Sequence, residues 1–561
     1  MSVPPASAAV IVSTAATQNM VCATGVCSPT AVDAVLSAND LEALLSSGNA
    51  AVITTGSGVQ ADDIRIEARV SWSSANMLTL DAHKSVTIDR SMKASGAGGL
   101  SVITDDGGSG GEFAFEHDGS LTFRDLSSAL LINGTAYQLV GSVAALAGAI
   151  AAKPSGAFAL ANTYDASGDG TYSVSPVSTV LTGAFNGLGN TIANLTINDP
   201  TENAYVGLFA EISSNATLNN LTLTNLNVTG GSGTSDAAST ECVGGLVGFA
   251  DGGVIAHVAG NGAVTAGQYA SVGGLLGIGD GTIESSVANI SVSNGLLGNA
   301  GGLVGGADGL IADSYATGNV SGSGFVGGLV GFNYTNAVEH SYATGAVTGS
   351  DASTYAGGLA GINESGFIDR SYSSATVSCE FVCGGLVGIE GFGSGIPGVS
   401  RSFATGSVTA NVTETTLAGG LVGFNQTGRI LNSYASGAVS AMAAGGLVGQ
   451  NENYPGGYRS ISRSYASAAV RGAIGYTGGL IGFDDNEFGN TIERTYWDTT
   501  TSGITNLSQG AGNISNDPGI KGLSNTKLQA ELPRGFNPRV WTENADINGG
   551  LPYLVANPPG K

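Results

Sequence analysis

The chain has 561 residues, and its formal net charge of −24 comes from 43 acidic against 19 basic side chains. Nucleic acids and anionic membrane surfaces both attract basic patches, so the sequence predicts binding to neither. Glycine accounts for 90 residues without a triplet period, and 42% of the residues are hydrophobic, which excludes a collagen-like and a disordered chain. The best apolar stretch, Val140 to Ala152, is too short and interrupted to predict membrane insertion.

The first residues give little sign of an export signal. Met1 to Ala23 lacks a basic segment and has only a very short apolar run, so it does not resemble a signal peptide. We therefore expect residues 1–29 to be an unstructured or remnant leader. If the protein is exported, the chain is then a piece of a longer secreted product or begins at a misplaced start.

Five cysteines form two close pairs, Cys22/Cys27 and Cys379/Cys383, with Cys242 left over. Such pairs are either small-loop disulfides of an oxidising compartment or free thiols, and the sequence leaves both open. No four-ligand cluster can be assembled by spacing, so no metal and no cofactor is expected.

Residues 30–140 alternate apolar and polar side chains and are interrupted by turn residues, which predicts N-terminal β-helical coils. Ser37 to Leu45 is predicted as a short helix. Residues 141–230 are predicted to hold a peripheral helix near Val140 to Ala152, followed by strands of the β-helix that are divided by tight corners.

Residues 231–498 repeat one glycine phrase, Gly-Gly-Leu-x-Gly, every 26 to 35 residues. A period of this size indicates a solenoid, in which each unit buries its apolar face against its neighbours. The first glycines of the nine copies are Gly244, Gly273, Gly301, Gly327, Gly357, Gly384, Gly419, Gly445 and Gly478.

A second phrase, serine or threonine followed by an aromatic residue, lies between the glycine phrases. Its aromatic members should stack in register at about 4.8 Å per coil, either as a sugar-stacking platform or as ordinary packing. They are Tyr315, Tyr342, Tyr372, Phe403, Tyr434, Tyr465 and Tyr496.

The position two residues before the aromatic holds four arginines: Arg370, Arg401, Arg463 and Arg494. Stacked guanidinium groups suit the sulfates or carboxylates of an acidic glycan. The alternative is a solvated position that Asp369 and Glu493 partly balance. Residues 499–561 break the repeat and are expected to form a C-terminal cap, since a solenoid must cover its last coil.

The two phrases resemble the GLUG motif of filamentous-haemagglutinin-like adhesins and other bacterial surface proteins. The closest agreement lies at Gly327 to Asn333 and Val338 to Val347, and the resemblance covers roughly residues 155 to 555. It implies an all-β chain folded as a right-handed parallel β-helix and a role in adhesion. An Asn-Pro-Asn-type secretion motif and a terminal membrane barrel, which accompany some such proteins, are not found.

From these observations we expect a secreted or surface-exposed bacterial adhesin, associated with the outer membrane, that binds host, matrix or cell-surface glycans or proteins without a covalent step. No catalytic residue is expected, because no pair of carboxylates recurs on adjacent coils. The alternatives are a β-helical polysaccharide lyase or hydrolase, and a passive structural stalk of a larger exoprotein.

Overall fold

The computed structural model describes residues 8–235, 241–335, 337–391, 397–411, 415–452, 460–485 and 491–560. It is an all-β chain that winds into a parallel β-solenoid of about 16 turns, as the sequence predicts. Three short α-helices interrupt it: α1 (Ala38–Ser47), α2 (Val143–Ala152) and α3 (Asn525–Leu528). None of the described helices has the length and apolar character needed to cross a membrane.

The N-terminal coils form a separate solenoid with its own core, which includes Leu41 and Leu45 of α1. Its strands are Ala9–Ser13, Met20–Ala23, Val26–Pro29, Ala34–Ser37, Ala50–Ile53, Thr55–Gly56, Val59–Gln60, Asp63–Ile66, Val70–Trp72, Leu78–Asp81, Val86–Ile88, Met92–Ala94, Leu100–Ile103, Phe113–Phe115, Leu121–Phe123 and Leu130–Ile132.

The segment that the sequence predicts as an unstructured leader is partly structured. Ala9–Ser13 pairs in parallel with both Ala34–Ser37 and Asp63–Ile66, and Val10 and Val12 are completely buried between them. Burial of these two side chains holds the segment in the first coil, so the expectation of an unstructured leader is wrong from residue 9 onward. Residues 1–7 lie outside the described residues.

The chain reverses direction between the two solenoids. Leu130–Ile132 pairs antiparallel with Thr135–Val140, which then pairs in parallel with Ala157–Leu160. Helix α2 follows this reversal, with Ser142 accepting a hydrogen bond from the Ala145 amide at its N-cap. It buries Val143, Leu146 and Ile150 in the core of the main solenoid.

The first coils of the main solenoid are irregular, and some of their strands continue through several corners. The strands are Ala157–Leu160, Tyr164–Asp165, Thr171–Tyr172, Ala184–Asn186, Thr191–Ala193, Thr196–Asn198, Tyr205–Val206, Phe209–Thr229, Val247–Thr265 and Val287–Ser293.

Each of the six coils from Gly298 to Arg471 has five short strands, and each strand pairs with its equivalent in a neighbouring coil. The coils before and after them have some of the same strands. The first strands are Glu241–Gly244, Ala270–Gly273, Gly298–Gly301, Gly324–Gly327, Tyr355–Gly357, Val382–Gly384, Leu417–Gly419, Ala443–Gly445 and Thr477–Gly478. The second strands are Leu276–Gly279, Val304–Ala307, Val330–Asn333, Ala360–Asn363, Val387–Glu390, Val422–Asn425, Val448–Asn451 and Ile481–Asp484. The third strands are Thr282–Glu284, Ile311–Ala312, Ala337–Glu339, Phe367–Asp369, Gly398–Ser400, Arg429–Leu431, Ser460–Ser462 and Thr491–Glu493.

The fourth strands carry the aromatic phrase, and the fifth strands close the coil. The fourth strands are Tyr315–Ala316, Tyr342–Ala343, Tyr372–Ser373, Phe403–Ala404, Tyr434–Ala435, Tyr465–Ala466 and Thr495–Asp498. The fifth strands are Val320–Gly322, Val347–Gly349, Val377–Cys379, Val408–Ala410, Val439–Ser440 and Val470–Arg471.

The glycine phrase forms the corner between the first and second strands. All nine first glycines are in register, each opposite the next. A Cβ atom on Gly419 would overlap the carbonyl oxygen of Val422, and one on Gly423 would lie 2.7 Å from the carbonyl oxygen of Gly388. The phrase therefore recurs because only glycine lets the backbones of neighbouring coils approach this closely.

The serines of successive aromatic phrases form a buried column at the corner between the third and fourth strands. The hydroxyl of Ser402 accepts a hydrogen bond from the Ser371 amide (3.1 Å) and donates one to the Ser400 carbonyl (2.8 Å). Equivalent pairs recur at Ser286, Ser314, Ser341, Ser371, Ser433 and Ser464. Serine is thus repeated because it satisfies backbone amides that the corner leaves unpaired.

The C-terminal residues do more than close the last coil. Ile520–Leu523 adds one further parallel strand beside Thr495–Asp498. Residues 524–560, the return segment, then run back along the outside of the rod, where Trp541–Thr542 pairs with Tyr553–Leu554. Asn557 reaches the backbone carbonyl of Ser371, 186 residues earlier.

Candidate functional site

The outer surface at the glycine corner carries a groove that runs along the rod. Two columns of outward side chains form its walls, one from the first strands and one from the second strands. Register places Tyr355, Val382, Leu417, Ala443 and Tyr476 in the first column, and Ile362, Ile389, Phe424, Gln450 and Phe483 in the second. Residues of both columns line one cavity, so the two columns meet across the glycine corner.

The groove opens into a cavity of about 470 Å³ between Tyr355 and Phe483. Phe381, Thr415 and Met442 contribute to the lining, and none of the described residues that line it is charged. The rings of Tyr476 and Phe483 lie 5.7 Å apart and nearly parallel, and 41% of Tyr476 is exposed. The cavity therefore offers aromatic and aliphatic surface, with the Gln450 amide and tyrosine hydroxyls as its polar groups.

The sequence analysis missed this groove, although the sequence contains a pattern that indicates it. The residue that directly follows each glycine phrase is usually large and apolar: Phe249, Ile278, Phe332, Ile362, Ile389, Phe424 and Phe483. Side chains along a strand alternate between the inside and the outside of the coil, but this alternation breaks at the glycine corner. The sequence alone therefore did not show that these residues face outward.

The seven aromatic residues predicted to stack do form one column. The rings from Tyr315 to Tyr465 are face to face, with centroids 4.5 to 5.2 Å apart, and register continues the column to Tyr496. Both faces of each inner ring lie against neighbouring rings, so a sugar can reach only ring edges and hydroxyl groups. This geometry does not provide the stacking platform that the sequence offered as one of two interpretations.

The column is divided into an open half and a covered half. Tyr315, Tyr342 and Tyr372 are partly exposed, whereas Phe403, Tyr434, Tyr465 and Tyr496 are buried beneath the return segment, together with Phe536, Trp541 and Leu554. The Tyr465 hydroxyl donates a 2.6 Å hydrogen bond to the Pro552 carbonyl. The covered half therefore acts as the internal packing surface of the C-terminal cap.

The four arginines occupy equivalent positions at the corner between the third and fourth strands, each directly before the serine or threonine of an aromatic phrase. Asn432 occupies this position between Arg401 and Arg463. All four adopt left-handed backbone conformations, with φ between 48° and 55°, which arginine rarely adopts. Arg370 and Arg401 share the carboxylate of Asp369 (2.8 and 2.6 Å), and Arg463 lies 3.6 Å from Glu493. The corner thus brings the arginines into line, and carboxylates already partner three of them.

A third column, of amide and carboxyl side chains, is buried inside the second strands. Its hydrogen bonds join Asn333 to Asn363 and Asn363 to Glu390, and, farther along, Asn425 to Asn451 and Asn451 to Asp484. Burial raises the pKa of Glu390 well above its ordinary value. These groups are sealed from solvent, so they stabilise the rod and offer no ligand site.

The column ends at a pair of buried carboxyl groups, Asp484 and Asp517. Burial, the nearby Asp484 charge and a hydrogen bond with Asp484 raise the pKa of Asp517 to about 7. A raised carboxyl pKa stabilises the fold below the unfolded value of about 4, and this contribution is lost as the pH rises through about 7. We expect the C-terminal coils to melt at a lower temperature at about pH 8 than at about pH 5, as followed by tryptophan fluorescence.

The Asp517→Asn variant is the control for this pH effect. An asparagine amide can donate a hydrogen bond to Asp484 without titrating, so the pH dependence should become flatter between those two values. An unchanged slope in this variant would contradict the assignment.

Among the residues that the structure describes, one group of potential metal ligands, Asp89, Glu116 and His117, converges on the N-terminal solenoid. Arg65 lies 3.1 Å from the Asp89 carboxylate and 3.3 Å from that of Glu116. The guanidinium already supplies the positive charge that an ion would bring, so these side chains form an ion-pair network.

Both close cysteine pairs, which the sequence left open, are disulfides: Cys22–Cys27 within a hairpin and Cys379–Cys383 between two strands. Cys242 is a buried free thiol, and burial raises its pKa to about 12. Its neutral, inaccessible sulfur is a packing group.

The chain contains repeats of the GLUG motif. The model of the GLUG motif matches residues 297–321, 322–348 and 414–440, and each match covers one complete coil, from the first strand to the fifth. No curated protein matches the chain. The repeats and the parallel solenoid fit an extracellular repeat protein.

Proposed function

We propose that this protein is an adhesin-type attachment rod that holds a neutral glycan chain in the groove at the glycine corner. The observation that carries the proposal is the aromatic cavity of about 470 Å³ between Tyr355 and Phe483, which is uncharged as far as the structure describes its lining. Aromatic surface with a few hydrogen-bonding groups is typical of sites that bind a ligand of mixed apolar and polar character. A sugar ring, with its C–H face and its hydroxyl edge, has this character.

Two features favour a neutral glycan over other partners of an adhesin. The described part of the lining has no charge to pair with a sulfate or a carboxylate, whereas the arginine corner already has partners in Asp369 and Glu493. An extended peptide that adds to a sheet needs a free strand edge, but the first and second strands use their backbone groups to pair with neighbouring coils. A ligand of the groove is therefore bound through contacts with side chains, and a polysaccharide can make such contacts along its length.

The two disulfides support a secreted or cell-surface location, because such bonds persist in oxidising compartments. The resemblance to filamentous-haemagglutinin-like bacterial adhesins rests on the same GLUG repeats and supports attachment as the role. We therefore propose a bacterial surface as its location and propose no catalytic step for it.

The test is a glycan array of neutral and acidic polysaccharides, with retention and cleavage products measured together. We expect retention of a neutral glycan without cleavage. The Phe424→Ala variant should lose at least about tenfold in affinity, or about 1.4 kcal/mol. Phe332→Ala is the matched control, because Phe332 occupies the same column outside the cavity.

The other outcomes separate the remaining functions. Cleavage products would identify a polysaccharide-active enzyme, and retention of acidic glycans alone would move the site to the arginine corner. If nothing is retained, a passive stalk of a larger exoprotein is the better description.

A further inference from the structure

A second cavity, of about 400 Å³, lies where the N-terminal solenoid meets the main one. Thr104 and Tyr137 line it from the side of the N-terminal coils and the reversal, and Asn219, Asn220 and His257 line it from the main solenoid. Its volume falls within the range of ordinary small-molecule sites. This junction pocket is well separated in sequence from the glycine-corner groove, which begins at Tyr355. A ligand could occupy it whether or not the groove binds a glycan.

The pocket contains hydrogen-bond acceptors that the protein leaves unused. Asn220 is only 5% exposed, and its amide nitrogen donates to the carbonyl of Phe113 (3.2 Å) and to the side chain of Asn186 (3.4 Å). The side-chain oxygens of Asn219 and Asn220 are buried, yet neither has a hydrogen-bond partner among the described residues. Buried acceptors without donors are costly, so the pocket is suited to a ligand that donates hydrogen bonds.

The charges around the pocket restrict which donor fits. Glu112 of the N-terminal solenoid lies 2.9 Å from the His257 ring of the main solenoid. This hydrogen bond raises the pKa of His257 and lowers that of Glu112, so the two charges largely compensate. Glu284 also lines the pocket, and its carboxylate disfavours an anion there.

We propose that the junction pocket binds one neutral, hydroxyl-rich unit, such as a single sugar residue. Its hydroxyl groups donate to the free oxygens of Asn219 and Asn220, and they accept from the hydroxyls of Thr217 and Tyr137. The bound unit touches both solenoids, as the Glu112–His257 contact does, and so it ties the N-terminal coils to the main rod.

The test is ligand-observed NMR on the full chain with glucose, galactose, mannose and N-acetylglucosamine, beside cationic glucosamine and anionic glucuronate. We expect at least one neutral sugar to bind. Ala256→Leu fills the pocket and should weaken that binding by at least about tenfold. Ala312→Leu is the matched control, since Ala312 lies two coils along the same column and outside the pocket.

Asn219→Ala provides a second variant should Ala256→Leu fail to fold, because it removes one acceptor from a partly exposed position. It should also weaken the sugar by about tenfold while the thermal midpoint stays close to that of the wild type. The proposal is overturned if no neutral sugar binds, if only the charged sugars bind, or if the folded pocket variants bind as well as Ala312→Leu.

Discussion

Replacing Trp541 with alanine is expected to release the return segment from the rod. Trp541 is completely buried, its ring lies 4.5 Å from that of Phe536 and about 6 Å from those of Tyr434 and Tyr465, and its nitrogen donates to Asn432. Truncation of a buried tryptophan costs about 3 to 5 kcal/mol. A short external segment with few strands has too little remaining binding free energy to stay attached to the rod after such a loss. Limited proteolysis should then cut residues 524–560 while the coils remain intact.

The control for this experiment is Trp72→Ala. Trp72 is also buried, at 4% exposure, but it belongs to the N-terminal core. It should destabilise the N-terminal coils and leave the return segment protected. If Trp541→Ala leaves residues 524–560 as resistant as in the wild type, the segment is not held by the aromatic column.

Replacing Gly419 with alanine is expected to separate two coils locally. The new Cβ would overlap the Val422 carbonyl oxygen and lie 2.6 Å from the Gly449 nitrogen, and both obstacles are backbone atoms that cannot rotate away. We expect a loss of about 3 kcal/mol, confined to neighbouring coils because solenoid coils contact only their neighbours. Hydrogen exchange should show faster exchange in Leu417–Gly419 and Ala443–Gly445.

Gly148→Ala is the matched control for this substitution. Outside its own stretch of helix, no atom lies within 4 Å of the position of its Cβ, and Gly148 sits inside helix α2, where alanine is favoured by up to about 1 kcal/mol. This variant should be at least as stable as the wild type. Equal exchange rates in Gly419→Ala and the wild type would show that the glycine corner tolerates side chains, contrary to the structure.

The sequence predicted the features that repeat with the coil. The glycine phrases, the aromatic phrase and the arginines recur at nearly constant intervals, and equivalent residues of successive coils lie side by side. The period alone therefore predicts the solenoid and its columns. The sequence analysis also named Asp369 and Glu493 as balancing charges, and in the structure Glu493 lies beside Arg463 of the preceding coil.

The features that the sequence did not predict depend on contacts between distant residues or on the side of the chain that a residue faces. Asn557 reaches Ser371, and Glu112 reaches His257, across 186 and 145 residues. No periodicity relates such pairs, so the return segment and the junction pocket remained hidden. The groove was missed because Phe424 follows a corner at which strand alternation no longer indicates direction.

The most direct test of the proposed function is a crystal structure of the full chain with the neutral polysaccharide that the array selects. Our account predicts that sugar rings lie along the glycine corner, in contact with Tyr355, Phe424 and Phe483. A glycan bound at the corner of Arg370 and Arg401, with the groove unoccupied, would contradict it.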